Sequence, residues 1–171
     1  MSYTPKELVL HGEARTKLKA GIKKISEAVK STLGPGGNTV VIESPAHTHG
    51  ITVTKDGVTV AKAVQLLDPV ENLAVQMMRE SSQNTANIAG DGTTTAIVLA
   101  EAIVKEGLKH LDENNISSNK YIKSINDYCD RVIANLEVTA KKLSKRGLLD
   151  VATISANNDK VLGKIIADTY L

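Results

Sequence analysis

Residues 90–95, with the sequence Gly-Asp-Gly-Thr-Thr-Thr, bring a carboxylate and three hydroxyls to one point of the chain. They lie between two long helical patterns and are predicted to open a helix. The first N–H groups of a helix lack intrahelical acceptors, and the helix dipole favours negative charge there, so a helix start is a natural anion site. The carboxylate of Asp91 beside that start can hold a hard divalent cation. The segment therefore predicts a site for phosphate and a metal ion.

Helix capping is a plainer interpretation of the same segment. Gly90 can end one helix in the left-handed conformation, and Asp91 can be the N-cap of the next. Three consecutive threonines are mediocre helix formers, so helix propensity does not explain them. The two interpretations are compatible, because a capping Asp can still turn toward a metal ion, and other segments must decide between them.

Two more glycine-containing turns interrupt the predicted elements. Residues 34–37, Gly-Pro-Gly-Gly, end a helix predicted over 12–33, because Pro cannot continue a helix and Gly suits a left-handed cap. Lys55, Asp56 and Gly57 form a turn between a predicted strand and a short predicted helix. Taken alone, Asp56 is explained equally well as a turn residue or as a functional carboxylate.

Hydrophobic periodicity predicts the elements that must position these turns. The remaining predicted elements are strands over 39–42 and 51–54 and helices over 58–67, 70–89 and 92–111, with a further amphipathic helix capped by Ser117 or Ser118. The helix over 92–111 is apolar on most sides, which predicts a buried central helix. Cys129 falls on the apolar stripe of the next helix and is predicted to be a buried small hydrophobe. A basic helix follows from about 138, with a break at Gly147.

Composition excludes several classes of protein. The 171 residues are 42% hydrophobic but contain no Phe or Trp, which predicts an aliphatic, helix-rich core. A net charge of +2 and the lack of aromatic stacking platforms argue against nucleic-acid binding. One cysteine excludes an internal disulfide, and His47 and His49 lack an obvious third metal ligand. Without a signal peptide or an apolar run of membrane-spanning length, a soluble cytoplasmic protein is the simplest expectation.

Four segments in register resemble the N-terminal part of a group I chaperonin, the bacterial GroEL type. They are residues 32–37, 54–61, 90–95 and 153–157, and the resemblance extends over essentially the whole chain. It implies a mainly α fold: an equatorial-domain helical bundle with a small β-hairpin over residues 1–137. The first part of an intermediate domain would follow over residues 138–171.

The resemblance implies an ATP site with Mg²⁺ and with K⁺ bound nearby. Asp91 would bind magnesium, and Asp56 would be the catalytic residue that helps orient the attacking water. The residues that would contact the nucleotide are Thr32, Leu33, Gly34, Pro35, Lys55, Gly92, Thr93, Thr94 and Thr95. This agrees with the chemistry of the residues, since phosphoryl transfer to water mainly needs charge neutralisation and a placed nucleophile. No Walker-type run is present, which disfavours a P-loop NTPase.

The resemblance also implies partners, and two alternative interpretations of the chain remain open. A complete protein of this type would be an ATP-dependent chaperonin subunit whose partners are identical subunits in a ring and non-native polypeptides, with a lid co-chaperone as a further candidate. The family's apical domain and the rest of its equatorial domain are absent here, so the alternative is a non-enzymatic fragment that associates with chaperonin subunits without turnover. A third option is a helical bundle whose glycines merely cap helices. Gly36 and Asn38 replace the usual Lys and Arg, a divergence that suits a phage-encoded or otherwise outlying member.

Overall fold

The computed structural model describes residues 7–34, 36–43, 50–114 and 116–170. These residues form seven α-helices and one antiparallel two-stranded hairpin, which confirms the predicted mainly α class. The elements are α1 (His11–Lys30), β1 (Val40–Glu43), β2 (Ile51–Thr54), α2 (Gly57–Ala63), α3 (Pro69–Ala89), α4 (Thr93–Asn114), α5 (Ser118–Thr139), α6 (Lys145–Ser155) and α7 (Lys160–Thr169).

The chain divides into two compact units, residues 1–116 and 117–171. The first holds α1 to α4 and the hairpin, and the second holds α5 to α7. The predicted change from an equatorial to an intermediate domain after residue 137 stays a prediction. Within the described residues, no helix is long and apolar enough to cross a membrane.

An aliphatic core joins the four helices of the first unit, as the composition predicts. Its fully or nearly fully buried members are Ile25 and Val29 of α1, Val60 and Ala61 of α2, Val75 and Met78 of α3, and Ile97 of α4. Burying one such large aliphatic side chain stabilises a fold by about 1.5–3 kcal/mol. The approach of α1 to α3 is close, because a Cβ at Gly21 would overlap the carbonyl oxygen of Glu71.

Helix α1 ends at Lys30, three residues before the predicted end. The hydroxyls of Ser31 and Thr32 donate to the carbonyl oxygens of Ala28 and Val29 at 2.7 and 2.8 Å. Such side-chain bonds compete with the helical ladder. Gly34 then adopts the predicted left-handed conformation, with φ of 75°, beyond the helix rather than at its cap.

The hairpin and the two following helix starts match their sequence signals closely. Val40 pairs with Thr54 and Glu43 with Ile51. Asp56 and Asp68 are the N-caps of α2 and α3, and each carboxylate accepts two backbone N–H groups. An Asp N-cap satisfies donors that the helix leaves without partners.

Two burial predictions are wrong. In α4, Leu99 is 56% and Ile103 46% exposed, although this helix was predicted to be buried all round. Cys129 of α5 is exposed as well. On α3, Ala74 and Met78 are buried, whereas Met77 and Ile88 are exposed. Periodicity identifies the apolar face of a helix, but whether that face is covered depends on what packs against it.

In the second unit, the predicted break at Gly147 is wrong. The Gly147 N–H donates to the hydroxyl of Ser144 at 3.1 Å, so Gly147 lies in the first turn of α6. Residues 140–144 interrupt the helical pattern instead. Helices α6 and α7 pack closely, because a Cβ at Gly163 would lie 2.6 Å from the Cα of Thr153.

Candidate functional site

The turn between α3 and α4 is built by two left-handed glycines on either side of Asp91. Gly90 has φ of 75° and ends α3, as predicted, while Gly92 has φ of 83°. The Gly92 carbonyl accepts the N–H of Ala96 at 2.8 Å, so Gly92 occupies the N-cap position that the capping interpretation gave to Asp91. Residues other than glycine are disfavoured at such φ values.

Asp91 therefore lies just outside the helix and is exposed. Its Oδ1 accepts the N–H of Gly92 at 2.6 Å. Among the described residues, its Oδ2 accepts no hydrogen bond. This carboxylate keeps an oxygen available for a cation at the start of α4.

The first turn of α4 carries unused donors. The N–H groups of Thr93, Thr94 and Thr95 come before the first intrahelical bond and find no acceptor in the described part of the chain. The hydroxyls of these three threonines likewise make no hydrogen bond with described residues. Thr93 is buried, and its carbonyl accepts the Ser82 hydroxyl at 3.3 Å, which fixes the helix start against α3. Unpaired N–H groups at a helix start are suited to an anion.

Asp56 is held far more firmly than Asp91. Its Oδ1 accepts the N–H of Val58 at 3.2 Å. Its Oδ2 accepts both the N–H and the hydroxyl of Thr59, at 2.9 and 2.6 Å. The Asp56 N–H in turn donates to the Thr54 hydroxyl at 2.9 Å. The backbone and the carboxylate of Asp56 are both fixed at the end of β2.

These donors set the pKa of Asp56. Partial burial is the largest single influence and acts to raise the pKa, but the Thr59 hydroxyl, the N–H groups of Thr59 and Val58 and the charge of Lys62 together lower it below its ordinary value. The carboxylate is therefore ionised at neutral pH and is a weak proton acceptor. It is better suited to orienting a water molecule through a hydrogen bond than to removing its proton.

Three segments that are far apart in sequence meet at Gly57. A Cβ at Gly57 would overlap the Thr94 hydroxyl and would lie 3.3 Å from the hydroxyl oxygen of Thr32. We call this meeting of Thr32, Gly57 and Thr94 the threonine junction. Its hydroxyls come from the turn after α1 and from the start of α4, and α2 begins between them.

The hydrophobic core positions the three segments of the threonine junction. Thr32 follows the buried Val29 by three residues, and Thr94 precedes the buried Ile97 by three. Gly57 likewise precedes the buried Val60 by three. Within a helix, residues three apart lie on one face about one turn apart. Thr32 lies beyond α1, but its N–H donates to the Val29 carbonyl at 3.1 Å, which ties it to the end of that helix. The same apolar cluster therefore places all three segments.

The remaining predicted site residues lie on the same loops. Leu33, Gly34 and Lys55 are exposed, and Lys55 makes no ion pair with described residues. Gly34 accepts the N–H of Gly37 at 3.0 Å, which closes the turn after α1. Pro35 lies outside the described residues, as do His47 and His49.

The donor set fits a magnesium ion that arrives with a nucleotide. The described residues contain no group of three or more His, Cys, Asp or Glu side chains that could share a metal ion. Mg²⁺ commonly keeps several waters and binds through one or two carboxylates together with substrate phosphates. A single exposed carboxylate beside free helix N–H groups matches that pattern.

Sequence reasoning missed two residues of this site. Gly57 is buried and its φ is not positive, so it is glycine because of crowding by Thr94 rather than because of its backbone conformation. Thr59 supplies the hydroxyl bound to Asp56. A signal existed for Thr59, since it stands three residues after an N-cap Asp, where a side chain can reach back to the cap. No local signal existed for Gly57.

Comparison with known proteins gives consistent matches. A family model described as the TCP-1/cpn60 chaperonin family matches residues 25–171. Two crystal forms of the chaperonin gp146 from bacteriophage EL 2 (Pseudomonas aeruginosa), both in the presence of ATP-BeFx, are 31% identical to this chain with TM-scores of 0.78 and 0.79. These matches cover 93% and 95% of this chain and 28% of that chain.

A group III chaperonin in the open state is 27% identical, with a TM-score of 0.76 over 91% of this chain and 31% of that chain. The chain thus spans less than a third of the length of the solved chaperonins it matches. Its assignment to group I stays a prediction.

Proposed function

Because the chain belongs to the TCP-1/cpn60 chaperonin family, we propose that it supplies part of the ATP and magnesium site of a chaperonin subunit. In the complete protein this site binds and hydrolyses ATP, and the nucleotide state drives a ring of identical subunits that assists the folding of non-native polypeptides in the cytoplasm. A lid co-chaperone is a further candidate partner.

The threonine junction is the observation that carries this proposal. It brings hydroxyls from the turn after α1 and from α4 together beside the turn that holds Asp56. The free N–H groups at the start of α4 lie in the same helical turn as Thr94. A group with several negative oxygens, such as a triphosphate, is the kind of ligand that these donors suit.

Each side chain has a distinct proposed role. Asp91 holds magnesium through its free oxygen, and the metal ion, when bound, neutralises charge on the phosphates. Residues 92–95 bind phosphate oxygens through N–H groups and hydroxyls, and residues 32–35 enclose the nucleotide from the other side. Lys55 lies near the terminal phosphate. Asp56 orients the attacking water, as its lowered pKa favours.

Calorimetric titration of the chain with magnesium-ADP tests this proposal. We expect binding that Asp91→Ala weakens at least about tenfold, since removing even the outer-shell partners of metal ligands lowers metal affinity about 10–100-fold. Asp130→Ala, an exposed carboxylate of α5, is the matched control and should leave the affinity unchanged. Equal affinities for the chain, the Asp91 variant and the control would contradict the metal assignment. No binding at all would contradict the nucleotide site in this chain.

Exposed apolar surface supports a second candidate function, association with other chaperonin subunits without turnover. In α5, Ile122, Ile133 and Leu136 are 54%, 53% and 63% exposed. Contiguous exposed apolar faces commonly mark interaction sites. An ATPase assay of the purified chain distinguishes the two functions, because multiple turnovers exclude the non-enzymatic one.

A further inference from the structure

Thr59 makes a contact that capping of α2 does not require. Backbone N–H groups of Val58 and Thr59 already cap the helix through Asp56. The Thr59 hydroxyl adds a third donor, at 2.6 Å from Asp56 Oδ2. Thr59 itself is half-buried, but its hydrogen bond to Asp56 is exposed.

The other Asp caps of the chain show what capping alone needs. Asp68 uses Oδ1 for both backbone donors, Val70 and Glu71, at 2.8 and 3.0 Å, while its Oδ2 pairs with Lys17 Nζ at 3.0 Å, a contact that capping does not need. Asp159 of α7 likewise uses Oδ1 for Val161 and Leu162, at 2.9 and 3.0 Å. In both, the residue three after the Asp gives no side-chain donor to the carboxylate. At Asp56 the backbone donors are divided between the two oxygens.

The division of donors has a mechanical effect. The terminal torsion of an Asp side chain is broad and is weakly restrained by its own geometry. When all the donors bind one oxygen, the carboxylate can pivot about that oxygen, and its plane is not fixed. At Asp56 the N–H groups of Val58 and Thr59 place one donor on each oxygen, and the Thr59 hydroxyl adds a second, shorter bond to Oδ2 that restrains the plane further.

We propose that Thr59 is a positioning residue, whose hydroxyl restrains the plane of the Asp56 carboxylate beyond what the two backbone N–H groups achieve, so that Asp56 orients the attacking water in one direction. This inference rests on the proposed ATP site and adds a residue to it. Thr59 touches neither nucleotide nor water in this role and acts through Asp56. Productive alignment of a nucleophile is sensitive to such small displacements.

Two substitutions of Thr59 separate positioning from structure. Thr59→Val removes the hydroxyl at nearly constant volume, and Thr59→Ser keeps it. Thr16→Val is the matched control, because the Thr16 hydroxyl bonds only within α1, to the Gly12 carbonyl at 2.9 Å. Thr16 lies about 21 Å along the helix from its end at Lys30, at 1.5 Å per residue.

The measurement is the affinity of the full chain for magnesium-ADP with aluminium fluoride and, separately, with beryllium fluoride. Aluminium fluoride mimics the transferring phosphoryl group with its in-line water, and beryllium fluoride mimics the phosphoryl group before attack. Thr59→Val should weaken the aluminium fluoride complex about tenfold, the effect of losing one hydrogen bond to a charged group. The beryllium fluoride complex should be unchanged, and the Ser and Thr16 variants should match the parent chain in both.

A second readout needs no nucleotide. In the ligand-free chain, carboxyl NMR should show a raised Asp56 pKa in Thr59→Val and not in Thr59→Ser. Equal losses with both fluorides would overturn the positioning role in favour of a binding role. An unchanged aluminium fluoride affinity in Thr59→Val would also overturn it. If the parent chain binds neither complex, the proposed ATP site itself fails, and the inference about Thr59 fails with it.

Discussion

The turns before α2 and α4 share the dipeptide Asp-Gly yet differ in almost every physical respect. At Asp56-Gly57 the Asp is the N-cap and both of its oxygens accept hydrogen bonds. At Asp91-Gly92 the Gly occupies the N-cap position, and the Asp accepts one bond from its neighbour. Gly57 is glycine because Thr94 crowds it, whereas Gly92 is glycine because its φ is 83°.

The difference separates the two roles that we propose for the two aspartates. A carboxylate fixed at both oxygens, with a lowered pKa, suits the orientation of a small neutral molecule. A carboxylate with an unused oxygen suits a cation. The residue type is the same in both turns. The proposed role of each Asp depends on where the helix begins relative to it.

The largest effect should come from crowding Gly57. Gly57→Ala should lower the free energy of unfolding by about 2–3 kcal/mol, as overpacking of a tight site does. Urea denaturation followed through amide signals of α2 measures it. Adding Thr94→Ala removes the overlapping hydroxyl and should recover part of the loss. A strictly additive double variant would show that Gly57 and Thr94 do not meet.

Gly92 tests the other half of the comparison. Gly92→Ala should cost about 1–2 kcal/mol, the strain of a left-handed backbone for a residue with a Cβ. Among the described residues other than its chain neighbours, the nearest atom to a Cβ built there is Thr85 Cγ2 at 3.8 Å, so trimming a neighbour should recover nothing. Gly92→Asn should cost less than Gly92→Ala, because Asn tolerates this conformation. Equal losses for Asn and Ala, in the same denaturation assay, would argue against backbone strain.

The next largest effect is expected at Asp56, where the free energy of unfolding should depend on pH. Its folded pKa lies below the ordinary value of 3.8, so its contribution is present above that pH and is lost as the pH falls through the folded pKa. Asp56→Ala should cost about 1 kcal/mol near neutral pH, as the loss of an N-cap does. The gap between the parent and the variant should narrow below pH 3.8. A gap that stays constant in acid would show that the carboxylate charge is not involved.

The smallest effect on stability is expected at Asp91. Asp91→Ala removes one hydrogen bond between neighbouring residues and should change the free energy of unfolding by less than about 0.5 kcal/mol, as surface substitutions usually do. Thermal denaturation of the two chains side by side measures this. A large loss would mean that Asp91 is mainly structural.

Local signals were enough to predict much of the fold. The predicted helix over 70–89 is α3 to within one residue, because Asp68, Pro69 and Gly90 mark its ends by chemistry that acts over a few residues. The end of α1 was misjudged, since Ser31 and Thr32 divert their hydroxyls to helix carbonyls. The exposure of Leu99 and Cys129 depends on contacts between distant segments, which periodicity does not contain.

The candidate site likewise combines features that local sequence signals indicate with features that depend on distant contacts. The unused oxygen of Asp91 and the donors at the start of α4 follow from the order Gly-Asp-Gly-Thr, so sequence could indicate them. The crowding of Gly57 by Thr94 required knowing that the two segments meet. The orientation of Asp56 required knowing which oxygen each donor of Thr59 reaches.

Thr32, Gly57 and Thr94 each stand three residues from a core residue: Val29, Val60 and Ile97, respectively. A ligand bound at the threonine junction would therefore stabilise the packing of α1, α2 and α4 together. A molecule held at one hundred times its Kd adds about 2.7 kcal/mol to the stability of the state it selects. Amide protons deep within α1, α2 and α4 would then exchange more slowly, although none of them touches the ligand. Ile97→Val should, conversely, reduce this stabilisation, although Ile97 does not touch the ligand.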